Sequence, residues 1–471
     1  MKGLALIEAL DRAESTRRVV IQNTTSSIRK KYEQYLTPRE VAKFAAQMFL
    51  HKGSRGITCL DMGSGTGILS IAVAERYNFN VNIDAVELDS TMAAICEKEL
   101  SAMGIQHRVI CADALSLEYG TQYDCVILNP PYKKMAANDS RQATFPFREA
   151  NLYSAFVTRA IELLKPGGEC VAIIPRSWAN GDYFAAFRSW IFSHASIDWM
   201  HVYESRTEVF SDTNVLQETM LVKFSKSKQA DFIRVTESTD KNATVSLAEY
   251  PSDRLIYGLA KKEVVRIRPV EDPMMQGLST LKERGLIAST GKVVDFRSRE
   301  KTVSEPGEDC VPLIYSCNFS KNGFSHPVNA GKMQWYHCIE DRDRNLLVGP
   351  GSFVIVKRFS SKEEQKRIKA FAFDAREPVA LENHQNFIHA GKPRHTVPLD
   401  DELAKGLSIW LNSSSVDIWF RSVSGSTQVN ASDLNQMPVP SLATLRTMSR
   451  EWSPALEQSQ IDSICEEALI G

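Results

Sequence analysis

From about residue 57 to 225 the chain alternates short apolar runs with longer stretches of helical spacing, and few folds tolerate that alternation. The runs Thr58–Met62, Asn82–Val86, Arg108–Cys111, Tyr123–Leu128, Cys170–Ile174, Ile197–Tyr203 and Glu218–Phe224 read as strands. Helices fill the intervals, one ending at Arg76, one over Thr91–Met103 and one over Leu152–Leu164, the last stopped by Lys165-Pro166-Gly167-Gly168. The pattern predicts an α/β fold, a doubly wound and mostly parallel sheet with helices on both faces. In such sheets ligands bind outside the carboxyl ends of the strands.

The 471 residues suffice for two or three domains, and 43% hydrophobic with 24% charged residues describes a soluble globular chain. No apolar run approaches a membrane span, and Met1–Thr16 lacks the apolar core of a signal peptide. The nine cysteines are scattered without a C-x-x-C pair, which points away from a metal site or disulfide framework and towards a reducing cytoplasm. His384 and His389 lack the companions of metal ligands. Four segments are expected: 1–56 helical, 57–235 the α/β domain, 240–440 a mixed α+β domain, and 441–471 a helical tail, with the polar stretch Ser225–Thr239 as the main boundary.

Leu60-Asp61-Met62-Gly63-Ser64-Gly65-Thr66-Gly67 follows a strand and opens a helix. Its G-x-G-x-G spacing lets the backbone turn tightly against a ligand, and differs from the G-x-G-x-x-G of dinucleotide binders. Alone it also fits a dinucleotide site or a plain turn. Glu87, at the end of the next strand, can accept both hydroxyls of a ribose, and Asp113 can accept from an adenine amine. Asp61 is either a helix cap or the group that orients the loop and a methionine amine. Together these residues suit S-adenosylmethionine, which carries ribose and adenine but no phosphate.

Asn129-Pro130-Pro131-Tyr132 ends the run Cys125–Leu128. Two prolines stiffen this turn. It can aim the Asn129 side-chain oxygen, the Pro130 carbonyl and the Tyr132 ring at one planar amine. Accepting both hydrogens of that amine favours a pyramidal nitrogen and localises its lone pair, so positioned dipoles carry the catalysis. The absence of a Pro-Cys nucleophile argues against carbon-5 cytosine chemistry.

With these motifs in this order, the chain resembles the γ-class DNA adenine-N6 methyltransferases of type II restriction–modification systems, the TaqI-like and PstI-like enzymes. Lys31-Tyr32-Glu33-Gln34-Tyr35-Leu36-Thr37-Pro38 is similar to their N-terminal motif, which implies cofactor contacts from Tyr35 and Thr37. Glu208-Val209-Phe210 with Asn214–Thr219 is similar to the segment whose Phe packs on a flipped target base, so Phe210 would face Tyr132 across it; a core Phe is the other reading. Ser424–Asn430, Asp433-Leu434 and Met437–Pro440 look like the close of the family's target-recognition domain. The resemblance implies 57–235 as the catalytic domain, 240–440 as a DNA target-recognition domain and double-stranded DNA as partner. A monomer is the default expectation, since a short palindrome can be methylated one strand at a time. Any cleavage would belong to a separate cognate restriction endonuclease.

Two basic clusters are candidates for DNA: Arg297 and Arg299 with Lys301, and the run Val354–Lys369 led by Lys357 and Arg358. The second half of that run is equally a solvated helix face. Glu382-Asn383-His384-Gln385-Asn386 is dense in base-reading side chains, and equally a polar loop. A protein glutamine-N5 or RNA-guanine methyltransferase poses the same chemical problem as the adenine reading. A non-catalytic DNA-binding subunit on this scaffold is a further alternative.

Overall fold

The computed structural model describes residues 9–24, 36–51, 56–203, 219–238, 245–259, 262–321, 323–360, 364–392, 395–424 and 428–470. These form two compact units, the first reaching to Tyr257 and including Lys262–Arg268, the second made mainly of residues from Pro269 on.

The first unit is built on β1 (Ile57–Met62), β2 (Val81–Glu87), β3 (Gln106–Cys111), β4 (Tyr123–Leu128), β5 (Leu164–Pro175), β6 (Ser196–Tyr203), β7 (Thr219–Ser225), β8 (Phe232–Ser238) and β9 (Ser246–Pro251). They form one sheet in the order β3-β2-β1-β4-β5-β7-β6-β8-β9. The first five are mutually parallel, and β7 runs antiparallel between β5 and β6. β1 and β4 are buried at nearly every position, as strands covered on both faces must be. The helix Ile68–Arg76 that follows β1 buries its first seven residues, Ile68 to Ala74.

The helix Leu152–Glu162 stops just before Lys165–Gly168, as the sequence implies, and that segment lies inside β5, where the pairing shifts register between Tyr123 and Cys125. Gly168 is required there, because a Cβ would meet the carbonyls of Lys165 and Tyr123 at 2.9 and 3.0 Å. One expectation is corrected: Ser225–Thr239 is not a boundary, since it contributes β8 to the sheet. Its polar Thr236 is buried and used, accepting from Trp199 Nε1 at 2.8 Å and lying 2.9 Å from His201 Nδ1.

The N-terminal helices Ala9–Asn23 and Arg39–Gln47 pack on Ile68–Arg76 within the first unit. Arg17, 1% exposed, donates to the Leu36 carbonyl at 3.1 Å and to both oxygens of Glu14. Burial alone would raise the Glu14 carboxyl, but hydrogen bonds from Arg17 and Arg18 outweigh it and hold it at about 2.

The second unit holds an antiparallel sheet in the order Leu286–Thr290, Gln385–Lys392, Gly351–Lys357, Ala370–Ala375, and a second of shorter strands around Cys310–Ile314. Residues 441–470 belong to this unit rather than forming a separate tail. The helix Asp401–Leu411 meets Leu442–Met448 so closely at Gly406 that a Cβ would lie 1.7 Å from the Leu445 carbonyl oxygen. Among the described residues no helix is long and apolar enough to cross a membrane.

One ion pair fixes the interior of the first unit. Lys223 of β7, 2% exposed, sits 2.7 Å from Glu169 of β5, whose other oxygen accepts from the backbone of Leu50 and His51. Asp198 is farther from Lys223, at 3.8 Å. Removing one partner of a buried pair strands the other charge, at a cost of about 3–5 kcal/mol. Glu169→Ala, which orphans Lys223 and the two backbone donors together, is therefore expected to destabilise the first unit by that order, and Lys223→Met by less, because Glu169 keeps the Leu50 and His51 N–H groups. Urea unfolding of the two variants measures the difference, and equal losses would contradict the account.

Candidate active site

Two neighbouring parallel strands bring the main motifs together. Met62 at the end of β1 pairs with Leu128 at the end of β4, so Gly63 and Asn129 begin adjacent loops. Met62 also pairs with Val86, which sets Glu87 beside the glycine loop on the other side.

The loop is closed by its own backbone. Gly63 N and Ser64 N donate to the Val86 carbonyl at 2.8 and 3.1 Å, and Gly65 N donates to Glu87 Oε2 at 2.8 Å. Gly63, Gly65 and Gly67 have φ of 78°, 54° and 87°, a region that other residues enter only with strain. Glu87 Oε1 accepts from Asp89 N at 2.9 Å. Burial raises the Glu87 carboxyl, and these backbone bonds oppose the shift.

Asp61 is fully buried at the carboxyl end of β1. Its Oδ2 accepts from Ser70 Oγ at 2.7 Å, which fixes the first turn of the next helix. Its Oδ1 is buried without a hydrogen-bond partner among the described residues, and so is Thr66 Oγ1 in the loop. Burial pushes the Asp61 carboxyl up to about 7, the Ser70 bond opposes this and the charge of Glu87 adds to it. Orphaned oxygens of this kind fit a ligand that brings its own donors, above all a cation.

Asn129 is the hub of the second loop. Its Nδ2 donates to Thr37 Oγ1 at 2.9 Å, and its Oδ1 accepts from the Tyr132 hydroxyl at 2.9 Å. That hydroxyl also lies 3.2 Å from the Ile173 carbonyl of β5. Tyr132 is 8% exposed, its ring set edge-on to Tyr153 at 6.3 Å. Pro130 is buried. Thr37, 3% exposed, thus ties the N-terminal segment to the Asn129 turn. Tyr35 and Phe210 lie outside the described residues.

Asp113 has protein partners of its own. Its Oδ1 accepts from Leu115 N at 3.0 Å, and its Oδ2 pairs with Arg141 at 3.0 Å. Arg141 also grips Asp139 through Nε at 2.9 Å and Nη2 at 2.7 Å. Arg17 and Arg141 each have one partner close in sequence, Glu14 and Asp139, and one distant, the Leu36 carbonyl and Asp113, and no local spacing reveals the distant one.

The DNA candidates all lie in the second unit. Arg297 and Arg299 are exposed, and the Arg297 guanidinium lies 5.5 Å from the Phe296 ring. Lys357 is half-buried, 3.7 Å from Glu364. Arg358 donates to the Asn383 carbonyl at 2.9 Å. Lys301 is spent on Asp343 at 2.8 Å and Glu340 at 3.2 Å, which removes it from its cluster. Lys366 donates to the Asn412 carbonyl and buried Arg367 to Ser360, so these two serve the fold; Lys362 lies outside the described residues. Gln385 and Asn386 are fully buried and bond to the carbonyls of Ile314 and Val429, which excludes both from reading bases.

The family description Eco57I restriction-modification methylase matches residues 57–210. The chain is 31% identical to the Type II methyltransferase M.BsuBI of Bacillus subtilis over 99% of its own length and 98% of that protein. It is 32% identical to the Type II methyltransferase M.PstI of Providencia stuartii over 97% and 96%. The Type IIL restriction-modification enzyme MmeI, solved in complex with DNA, shares the fold at 13% identity with a TM-score of 0.54, over 99% of this chain and 73% of that one. The fold is that of S-adenosylmethionine-dependent methyltransferases, and S-adenosylmethionine is the cofactor.

Asp61, the glycine loop and Glu87 fit that cofactor by the orphaned oxygens and the close backbone approach just described. Without it, the burial of Asp61 stabilises the protonated carboxyl between its ordinary value of 3.8 and about 7, and this contribution to stability is lost as pH rises through that window. A bound ammonium favours the ionised carboxyl. Affinity for S-adenosylmethionine is therefore expected to fall as pH drops below about 7, by up to about tenfold per unit. Calorimetry from pH 5.5 to 7 checks this; Asp61→Asn should flatten the dependence, and a flat profile in the native protein would remove Asp61 from the amine site. Fold, loop geometry and near-full-length relatives agree: this chain belongs to the type II restriction–modification DNA methyltransferases.

Proposed function

We propose that the enzyme methylates the N6 amine of adenine in double-stranded DNA, on a base turned out of the helix. The observation that carries this reading is the Asn129 carboxamide, oriented by Thr37 on one side and Tyr132 on the other at the mouth of the cofactor loop. S-adenosylmethionine supplies a methyl carbon already activated by its sulfonium. The protein's task is then to prepare the nitrogen.

Asn129 Oδ1 and the Pro130 carbonyl each accept one hydrogen of the amine. These bonds hold the nitrogen pyramidal and concentrate its lone pair on one side. The target amine takes the place of the Tyr132 hydroxyl on Asn129, and the exchange uncovers the Tyr132 ring as a face for the base. Stacking on such a ring offsets roughly 1–3 kcal/mol of the cost of leaving the duplex. Phe210 supplies the opposite face in this reading. Thr37 holds the amide so that its oxygen, not its nitrogen, meets the amine. Glu87 accepts the ribose hydroxyls; Asp113, with Arg141 steadying it, receives the adenine of the cofactor.

The second unit supplies phosphate contacts and sequence recognition, with Arg297, Arg299, Lys357 and Arg358 as the cationic groups. Asn129→Ala is expected to lower kcat by at least about 100-fold, the order seen when one positioned dipole is removed, while the dissociation constant for S-adenosylmethionine changes little. Labelled methyl transfer to a defined duplex, followed by nucleoside analysis, reads both the rate and the base. Label on cytosine, RNA or polypeptide would overturn the adenine assignment.

A further inference from the structure

Three segments far apart in sequence meet beside the antiparallel sheet of the second unit that contains Gly351–Lys357 and Gln385–Lys392. The strand Gly351–Lys357 continues into Arg358 and Phe359, the strand Gln385–Lys392 is entered through Glu382-Asn383-His384, and the third segment is Gln428-Val429. Arg358 N donates to the His384 carbonyl at 3.0 Å, and Val429 N donates to the Arg358 carbonyl at 2.7 Å. The Arg358 guanidinium reaches Asn383 O at 2.9 Å and Gln428 Oε1 at 3.5 Å. On the other flank Asn383 N donates to the Val293 carbonyl at 2.8 Å, just before the turn Asp295–Arg297. Both basic clusters therefore border one loop, a relation no sequence spacing reveals.

The tip of that loop is built to present one side chain. Glu382, 1% exposed, accepts from His384 N at 2.9 Å and from His384 Nδ1. The Phe359 ring supports the imidazole at 4.9 Å. The His384 side chain is nevertheless 50% exposed. With Nδ1 committed to Glu382, Nε2 is the edge turned to a partner, and in the neutral ring it is an acceptor. Beside it Arg358 Nε and Asn383 Oδ1 are buried without hydrogen-bond partners among the described residues. Exposed Phe296 and Arg297 stand on the adjoining turn.

We propose that His384 reads a base edge in the major groove of the DNA duplex, accepting from the exocyclic amine of adenine or cytosine, while Arg297, Arg299 and Lys357 meet the flanking phosphates. The inference rests on the duplex-DNA reading given under Proposed function. Glu382 and Phe359 act on His384 as positioning residues.

The test is methylation of a duplex library, randomised at each position of the recognised site, by the native enzyme, His384→Ala and Glu382→Gln. The modified positions are read by sequencing, with binding measured over a range of salt. His384→Ala is expected to lose about 10-fold of discrimination at one base pair, the low end of what a base-edge contact supplies, with the native salt slope. Glu382→Gln is expected to loosen the same base pair to a smaller degree. Unchanged discrimination at every position in both variants overturns the proposal, and so does an equal loss on all sequences with a shallower salt slope, which marks a phosphate contact. If His384→Ala does not fold, the Glu382→Gln pattern decides alone: one loosened pair supports the proposal and none overturns it. A native enzyme that modifies no duplex removes the underlying reading as well. A native enzyme with a defined site and variants that share its full pattern remove only the role of His384.

Discussion

The register of β1 against β4 is the constraint on which the site depends. With Met62 opposite Leu128, the glycine loop and the Asn129 turn must leave the sheet as neighbours. Parallel strands also point every carboxyl end the same way, so Glu87 and the segment at Asp113 emerge on the same edge. A one-residue slip of β4 would bury the Asn129 side chain or turn it to the other face. The near-continuous apolar burial of both strands makes that slip costly. The adjacency of the two loops is thus set by core packing before any polar contact is made.

Polar groups at that edge are left incompletely satisfied. Asp61 has one oxygen paired with Ser70 and one buried without a partner among the described residues. Structural carboxylates elsewhere in the same unit are treated differently. Glu14 is saturated by arginines and held at about 2, and Glu169 receives Lys223 and two backbone donors. The contrast separates carboxylates fully satisfied within the fold from one with an oxygen left over, as the proposed role of Asp61 requires, and neither burial nor charge alone makes that distinction.

The parts of this arrangement written in local sequence were legible. A strand, a positive-φ glycine loop and a proline-stiffened turn each announce themselves within ten residues, and the two loops fall where the strand ends predict. Long-range polar partners were not. Arg17 and Arg141 look like surface arginines in the sequence, yet one supports the Leu36 carbonyl before Thr37 and the other joins Asp113 to Asp139. β8 was missed because its polar residues resemble a linker, although Thr236 is buried between Trp199 and His201. In the second unit, adjacency misled. Gln385 and Asn386 are as polar as His384 but lie in a strand covered on both faces, and only the structure separates a buried amide from an exposed imidazole.

The loop after Tyr132 shows why the turn needs support from several directions. Met135 N donates to the Ala150 carbonyl, Leu152 N to the Lys133 carbonyl, and Gln142 exchanges hydrogen bonds with the backbone of Glu149. Glu149 itself is buried and accepts from Ser154 and Thr158 of the following helix. Burial pushes its carboxyl up to about 7, and those two hydroxyls oppose the rise. Arg141 then ties this loop to Asp113 beside β3. Two prolines stiffen the turn over three residues but cannot fix where its far end lies. The hydrogen bonds of residues 133–152 do that, so the aim of Asn129 is a property of the whole strand edge and not of the four-residue motif.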